Sequence, residues 1–204
     1  MISNRFITKA FRKFGYEITK ASQFQRGFRG SHLRRICQPG TVIDVGVARG
    51  TPVLYRAFPT AKFILVEPLR DTEDAINEIL QKYDGVVYYK ALGRSAGVLE
   101  INVDPTFVGK SSFKSRTALT RTAAPLHKKQ VEVTTLDAIY FENPGLTAPI
   151  LIKVDTEGSD LEVLQGGIEL LRVTDTVIVE VSISRRFEEG YTFEDMVLFM
   201  KQNG

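Results

Sequence analysis

Thr41-Val42-Ile43-Asp44-Val45-Gly46-Val47-Ala48-Arg49-Gly50-Thr51-Pro52 begins as a β-branched run, breaks at glycine and ends on a helix-start signal. Branched side chains at Thr41 to Val45 suit a pleated, buried strand. Gly46 and Gly50 allow the chain to turn sharply and let a ligand approach the backbone closely. Thr51 is a candidate N-cap, and Pro52 fits the first helical position, where its missing N–H costs nothing. The stretch reads as strand, tight loop and helix, a unit whose loop lies at the carboxyl end of a strand.

The same alternation continues outward. Lys62 to Glu67 reads as a second strand. Asp71 to Tyr83 reads as a helix, with Ala75, Ile76, Ile79, Leu80 and Tyr83 on one face before Gly85 stops it. Val86 to Leu92 is a third predicted strand. Val98 to Val103 and Val131 to Thr135 read as strands flanking a Ser/Thr/Lys/Arg-rich loop from Asp104 to Lys129. Ile150 to Asp155 is a further apolar strand. Ser159-Asp160-Leu161-Glu162 has capping-box spacing for a helix that Gly166-Gly167 ends. Thr176 to Ser182 is the last predicted strand, and Phe193 to Gln202 reads as a helix. Apolar strands separated by amphipathic helices predict an α/β fold with a mainly parallel sheet covered on both faces.

Composition sets the outer limits. The 204 residues point to one domain with an appendage, and 43% hydrophobic with 25% charged residues exclude collagen-like, mucin-like and wholly disordered classes. The single Cys37 excludes an internal disulfide framework and any multi-cysteine zinc site. Runs such as Phe63 to Val66 and Pro149 to Ile152 are strand-sized, well short of a membrane span. With no apolar block after the basic N-terminus, a cytoplasmic location is the expectation. Charge is unevenly spread. Residues 1 to 37 hold nine Lys and Arg against Glu17 alone, so the remainder is net acidic within a total of +3. Ile2, Phe6, Ile7, Ala10, Phe11 and Phe14 recur at helical spacing there. Residues 1–39 are therefore expected to form a basic amphipathic helical segment, packed on the domain or in peripheral contact with a membrane surface or a partner. No RNA-binding signature accompanies it, and no nucleic-acid partner is expected.

In open parallel sheets ligands bind beyond the carboxyl ends of the strands. The Gly46-x-x-x-Gly50 spacing departs from the Gly-x-Gly-x-x-Gly of dinucleotide binders, and the helix start after it suits a carboxylate or phosphate. Glu67 ends the second strand, where a carboxylate can accept hydrogen bonds from the vicinal hydroxyls of a ribose. An adenosine-containing ligand without a pyrophosphate fits this pair of ends. Lys153, Asp155 and Glu157 alternate out of an apolar strand, and Glu180 leaves another. Such charges either neutralise one another internally or meet a polar ligand. Three carboxylates are a conceivable Mg²⁺ set, but Lys153 already offsets part of their charge, and no metal is expected.

Val42-Ile43-Asp44-Val45-Gly46 with Gly50, Val66-Glu67-Pro68, Ala91-Leu92-Gly93, Thr135-Leu136-Asp137 and, above all, Leu151 to Gly166 resemble the FkbM family of S-adenosylmethionine-dependent methyltransferases. The resemblance covers roughly residues 40 to 203 and places the methyltransferase domain at 40–204. It implies a Rossmann-like class I methyltransferase fold, S-adenosyl-L-methionine as donor, and O-methylation of a hydroxyl on a sugar or natural product. It also implies that Asp44, Gly46 and Gly50 surround the methionine end of the donor, Glu67 its ribose, Ala91 and Leu92 its adenine, and Asp155 its sulfonium. The proton acceptor is then one of Asp155, Glu157, Glu180 or Lys153, with His127 as a further candidate. Arg49 stands where the family commonly has an amide and is a candidate contact for the donor carboxylate or an anionic acceptor. The C-terminal antiparallel strand pair of class I methyltransferases is absent from the pattern. The expectation is a chain truncated at its C-terminus or an incomplete sheet, with a homodimer as one way to cover the last strand. A nicotinamide-dependent oxidoreductase and a noncatalytic scaffold are the alternative functions.

Overall fold

The computed structural model describes residues 30–105, 108–118, 120 and 125–203. The amphipathic helix expected near the N-terminus lies outside them. Within the described residues, the strands are β1 (Thr41–Val45), β2 (Lys62–Val66), β3 (Gly85–Tyr88), β4 (Ala91–Leu92), β5 (Gly97–Val103), β6 (His127–Thr134), β7 (Ile150–Val154) and β8 (Thr176–Val179). The helices are α1 (Gly30–Ile36), α2 (Pro52–Ala57), α3 (Glu73–Leu80), α4 (Leu136–Glu142), α5 (Asp160–Gln165), α6 (Ile168–Leu171) and α7 (Phe193–Asn203).

Five parallel strands form the main sheet in the order β3-β2-β1-β7-β8. Its central strands are buried on both faces, which is why they read as unbroken apolar runs. Alternation divides their side chains between two layers. Ile43, Val45, Ile64, Ile152 and Val154 pack with Leu136, Val163, Leu170 and Met196 of α4 to α7. Val42, Phe63, Leu65 and Leu151 pack with Leu33, Leu54, Ile76 and Ile79 of α1 to α3. Helices thus cover both faces, as the sequence predicts. Among the described residues no strand follows β8.

Three local expectations are corrected. The third strand divides: Tyr88 still pairs in the main sheet, whereas Ala91 and Leu92 pair with Val133 and Thr134 in a second sheet of order β4-β6-β5. The helix expected from Asp71 opens as a 3-10 turn over Arg70–Thr72. Ser159 makes no side-chain cap for α5. Asp160 closes that loop instead, accepting from Thr156 N at 2.7 Å and Gly158 N at 3.3 Å.

Between β5 and β6, the described residues from Ser111 to Thr117 form a strap against the chain after β7 and the chain after β8. Ser112 pairs with Asn102, and its Oγ donates to Glu157 O at 2.7 Å. Farther along, Thr117 N donates to Arg186 O at 2.9 Å and Glu188 N to Ser115 O at 2.9 Å. The strap thereby joins the chain after β7 to the chain after β8.

Candidate active site

A cleft opens at the carboxyl ends of β1, β2 and β7. The turn after β1 forms one wall through Gly46 and Ala48, and Glu67 to Leu69 form the floor. Ala91, Leu92 and Ile101, all buried, also line it, with Val108 and Phe113 from the loop between β5 and β6. Asp155 to Glu157 close the remaining side.

The turn needs unusual backbone. Gly46 has φ 73°, and a Cβ there would lie 1.9 Å from Asp155 O, so only glycine lets β1 and β7 approach this closely. Ala48 also adopts a positive φ, 47°. Its N–H donates to Glu67 Oε2 at 2.8 Å, while Leu69 N donates to Glu67 Oε1 at 3.0 Å. Glu67 is 5% exposed. Burial raises its pKa; the two amides and the charge of Lys153 oppose that rise. Each of its oxygens retains a lone pair after these bonds.

Asp44 does not face the cleft. It is fully buried, accepts from Tyr55 Oη at 2.6 Å, and forms an ion pair with Lys153 Nζ at 3.0 Å. Lys153 Nζ also donates to Gly46 O at 2.9 Å and Val45 O at 3.2 Å. Burial opposes the ammonium, but Asp44 and Asp155 outweigh it and the pKa is raised. A lysine held protonated is not poised to accept a proton. Of the two readings of this charged strand, internal pairing describes Lys153 with Asp44.

Alternation does not reach Glu157, because β7 ends at Val154 and Glu157 turns with φ 52°. Its Oε2 accepts from Arg116 Nη2 at 2.9 Å and Arg186 Nη2 at 2.8 Å. With two guanidiniums on it, Glu157 is a structural anion. Arg186 Nη1 reaches Glu180 Oε2 at 3.2 Å. Asp155 lies close enough to Glu180 for the two carboxylates to act on one another. Burial, and then Glu180 and Asp160, lift Asp155 to about 6, against the lowering charge of Lys153. Asp155, one of the four proposed proton acceptors, lines the cleft with its carboxyl raised to about 6.

The remaining candidates lie apart. Arg49 is exposed at the tip of the turn, and Gly50 packs against Ile79 and Tyr55 rather than the cleft. His127 opens β6, exposed and paired with Val103. Helix α2 has six residues, and Leu54 N and Tyr55 N both donate to Thr51 O, at 2.9 and 3.3 Å. Sequence reasoning did not find Arg116, Arg186, Tyr55 or Phe113. Arg116 reaches Glu157 from the strap and Arg186 from the chain after β8, and neither carries a local motif.

The sequence pattern of the Methyltransferase FkbM domain matches residues 44–204. The chain belongs to the FkbM methyltransferase family. A protein called Methyltransferase 1 from Beauveria bassiana (strain ARSEF 2860) is 28% identical, over 71% of this chain and 65% of its own length. The crystal structure of Methyltransferase FkbM from Methylobacillus flagellatus KT shares the fold at a TM-score of 0.51 and 15% identity, over 98% of this chain and 53% of that one. This FkbM chain therefore spans about half the length of that structural relative. The family and the α/β architecture agree with what the motifs at Asp44, Glu67 and Lys153 to Asp160 imply. No helix among the described residues of the FkbM domain is long and apolar enough to cross a membrane.

Proposed function

We propose that this FkbM domain takes S-adenosyl-L-methionine as methyl donor and methylates a hydroxyl oxygen of a small saccharide-like acceptor. One observation carries the reading. Asp155, with a carboxyl at about 6, lines the same cleft as the doubly anchored Glu67. The donor set suits the parts of such a nucleoside. The spare lone pairs of Glu67 can accept from two ribose hydroxyls. Ala91, Leu92, Ile101 and Phe113 offer apolar surface for a flat heterocycle. Asp155 offers negative charge to a cationic sulfur.

When bound, the donor supplies a methyl group on a positively charged sulfur. Transfer forms the acceptor O–CH₃ bond as the S–CH₃ bond breaks, leaving a neutral thioether. The hydroxyl proton must go elsewhere, and Asp155 is the group able to take it at neutral pH. The floor and walls contribute alignment, which is a large share of the rate for an in-line displacement.

Titration calorimetry with S-adenosylmethionine and with S-adenosylhomocysteine tests the reading. Heat with both, competing for one site, is the expected result. A well-folded sample silent to both would remove the donor assignment.

A further inference from the structure

Lys153 occupies an unusual place. It is 8% exposed, and its ammonium sits behind the turn that forms the first wall of the cleft. It donates to both carbonyls that begin the turn, Val45 O at 3.2 Å and Gly46 O at 2.9 Å. On the other side of the same turn, the Ala48 N–H donates to Glu67 at 2.8 Å. A buried cation thus holds the carbonyls and a buried anion holds an amide, with the two positive-φ residues Gly46 and Ala48 between them. A non-glycine residue at positive φ is strained and persists only when its surroundings fix it.

The same ammonium faces carboxylates from several elements. Asp44 comes from β1, at 3.0 Å, and Asp155 from the end of its own strand, at 3.9 Å. Asp160 at the start of α5 and Glu67 after β2 also feel its charge. Asp155 in turn faces Glu180, Asp160 and the Arg186 guanidinium. Asp44 is itself fixed by the Tyr55 hydroxyl at 2.6 Å, so the ammonium is held from behind as well.

We propose that Lys153 is a positioning residue: it fixes the carbonyls of the donor-side turn and sets a permanent positive charge behind Asp155, the proton acceptor. The inference rests on that reading of Asp155. The charge does two things that a neutral side chain of the same length would not. It holds the backbone in the shape the cleft requires, and it keeps a carboxyl crowded by Glu180 and Asp160 from gaining its proton too readily.

The test uses the full chain and three forms. In the wild type, the Lys153 side-chain nitrogen, followed by NMR, is expected to remain an ammonium through about pH 9, as a paired lysine should. Loss of its proton below about pH 8 would overturn the proposal and return Lys153 to the role of base. Lys153→Met with Asp44→Asn removes both charges without leaving either orphaned. There the Asp155 carboxyl titration moves up by about one unit or more, as expected on losing a cation within reach. The acid limb of the methyl-transfer profile follows it, and donor affinity falls about tenfold or more. Lys153→Arg keeps the charge but not the fit, so the Asp155 titration stays near that of the wild type while donor affinity falls. A folded double variant with unchanged Asp155 titration sinks the proposal. Should the double variant fail to fold, the wild-type ammonium decides alone. Absence of donor heat in the wild type would count against the donor assignment, while the two titrations would still report on Lys153.

Discussion

Arg116 and Arg186 donate to the same carboxylate oxygen of Glu157, at 2.9 and 2.8 Å. One arginine comes from the strap and the other from the chain after β8, so a single anion beside the cleft joins three segments. Both guanidiniums also lie over the Phe187 ring, with their carbons 5.0 and 5.7 Å from its centre. Its ring also fills the space over Gly158, where a Cβ would meet it at 2.5 Å. The strap is therefore held by charge at one point and by packing at the next.

Removing that anion should loosen the strap. Glu157→Ala leaves two largely buried guanidiniums without their shared partner, a loss of about 3 kcal/mol for a buried pair broken on one side. Urea denaturation measures the loss. Hydrogen exchange should localise it, with faster exchange at Thr117 N and Glu188 N than in the core of β1. Unchanged exchange at both amides would mean that the backbone bonds alone hold the strap.

The central strands, the turn after β1 and the Lys153 to Asp160 block were legible because local chemistry dictates them. A β-branched run that breaks into glycine and then proline has few other solutions. The break of the third strand was not legible, since Val86 to Leu92 has no glycine or proline to interrupt it and pairing partners distant in sequence divide it. The site was legible in residue type but not in role. Asp44, Lys153 and Glu157 were marked as chemistry-bearing, yet the pairing of Asp44 with Tyr55 and Lys153, and of Glu157 with Arg116 and Arg186, comes from segments distant in sequence. Long-range partners decide whether a charge in an apolar strand serves a ligand or the fold. Asp137 makes the same point: it follows the Thr135 cap of α4, but its carboxylate accepts from Leu170 N at 2.9 Å and so caps α6.

Gly46→Ala should abolish the fold of the turn. The added Cβ would fall 1.9 Å from Asp155 O, a backbone atom one residue past the end of β7, and φ 73° is unfavourable to alanine in its own right. Because β1 and β7 must separate to admit it, the expected cost is roughly 3 kcal/mol or more. Thermal denaturation should show a large fall in Tm, or the variant should fail to accumulate as soluble protein. A stable variant with native spectra would contradict the close approach of β1 and β7.

Glu67→Gln should separate binding from stability. Glutamine keeps one acceptor oxygen and turns an NH₂ toward either Ala48 N or Leu69 N, both of which now donate to the carboxylate. An unmatched amide costs about 1–3 kcal/mol. Burial already penalises the charge on Glu67, so the neutral side chain recovers part of that loss and Tm should change little. Affinity for S-adenosylmethionine should fall about tenfold or more, because a donor NH₂ replaces an acceptor where ribose hydroxyls would bind. Calorimetry beside a thermal scan makes the comparison, and equal affinity for the two proteins would remove Glu67 from the donor site.

Asp155→Asn should lose activity and gain stability at neutral pH. Burial, with Glu180 and Asp160 adding to it, raises the Asp155 carboxyl from 3.8 to about 6 in the folded protein. The folded state thus binds this proton more tightly than the unfolded chain. Between about pH 4 and pH 6 the folded state carries more protons than the unfolded one, so this group's contribution to stability falls as pH rises, and the cost is complete above that window. Asparagine does not ionise, so the variant should lack that slope and be at least as stable as the wild type at pH 7. For the wild type, the methyl-transfer rate should climb with pH through about 6 as the carboxyl becomes able to accept a proton. Single-turnover rates for the variant should drop about 100-fold or more, with donor heat retained. A variant that transfers methyl groups at the wild-type rate, with the same pH profile, would show that the acceptor proton leaves by another route.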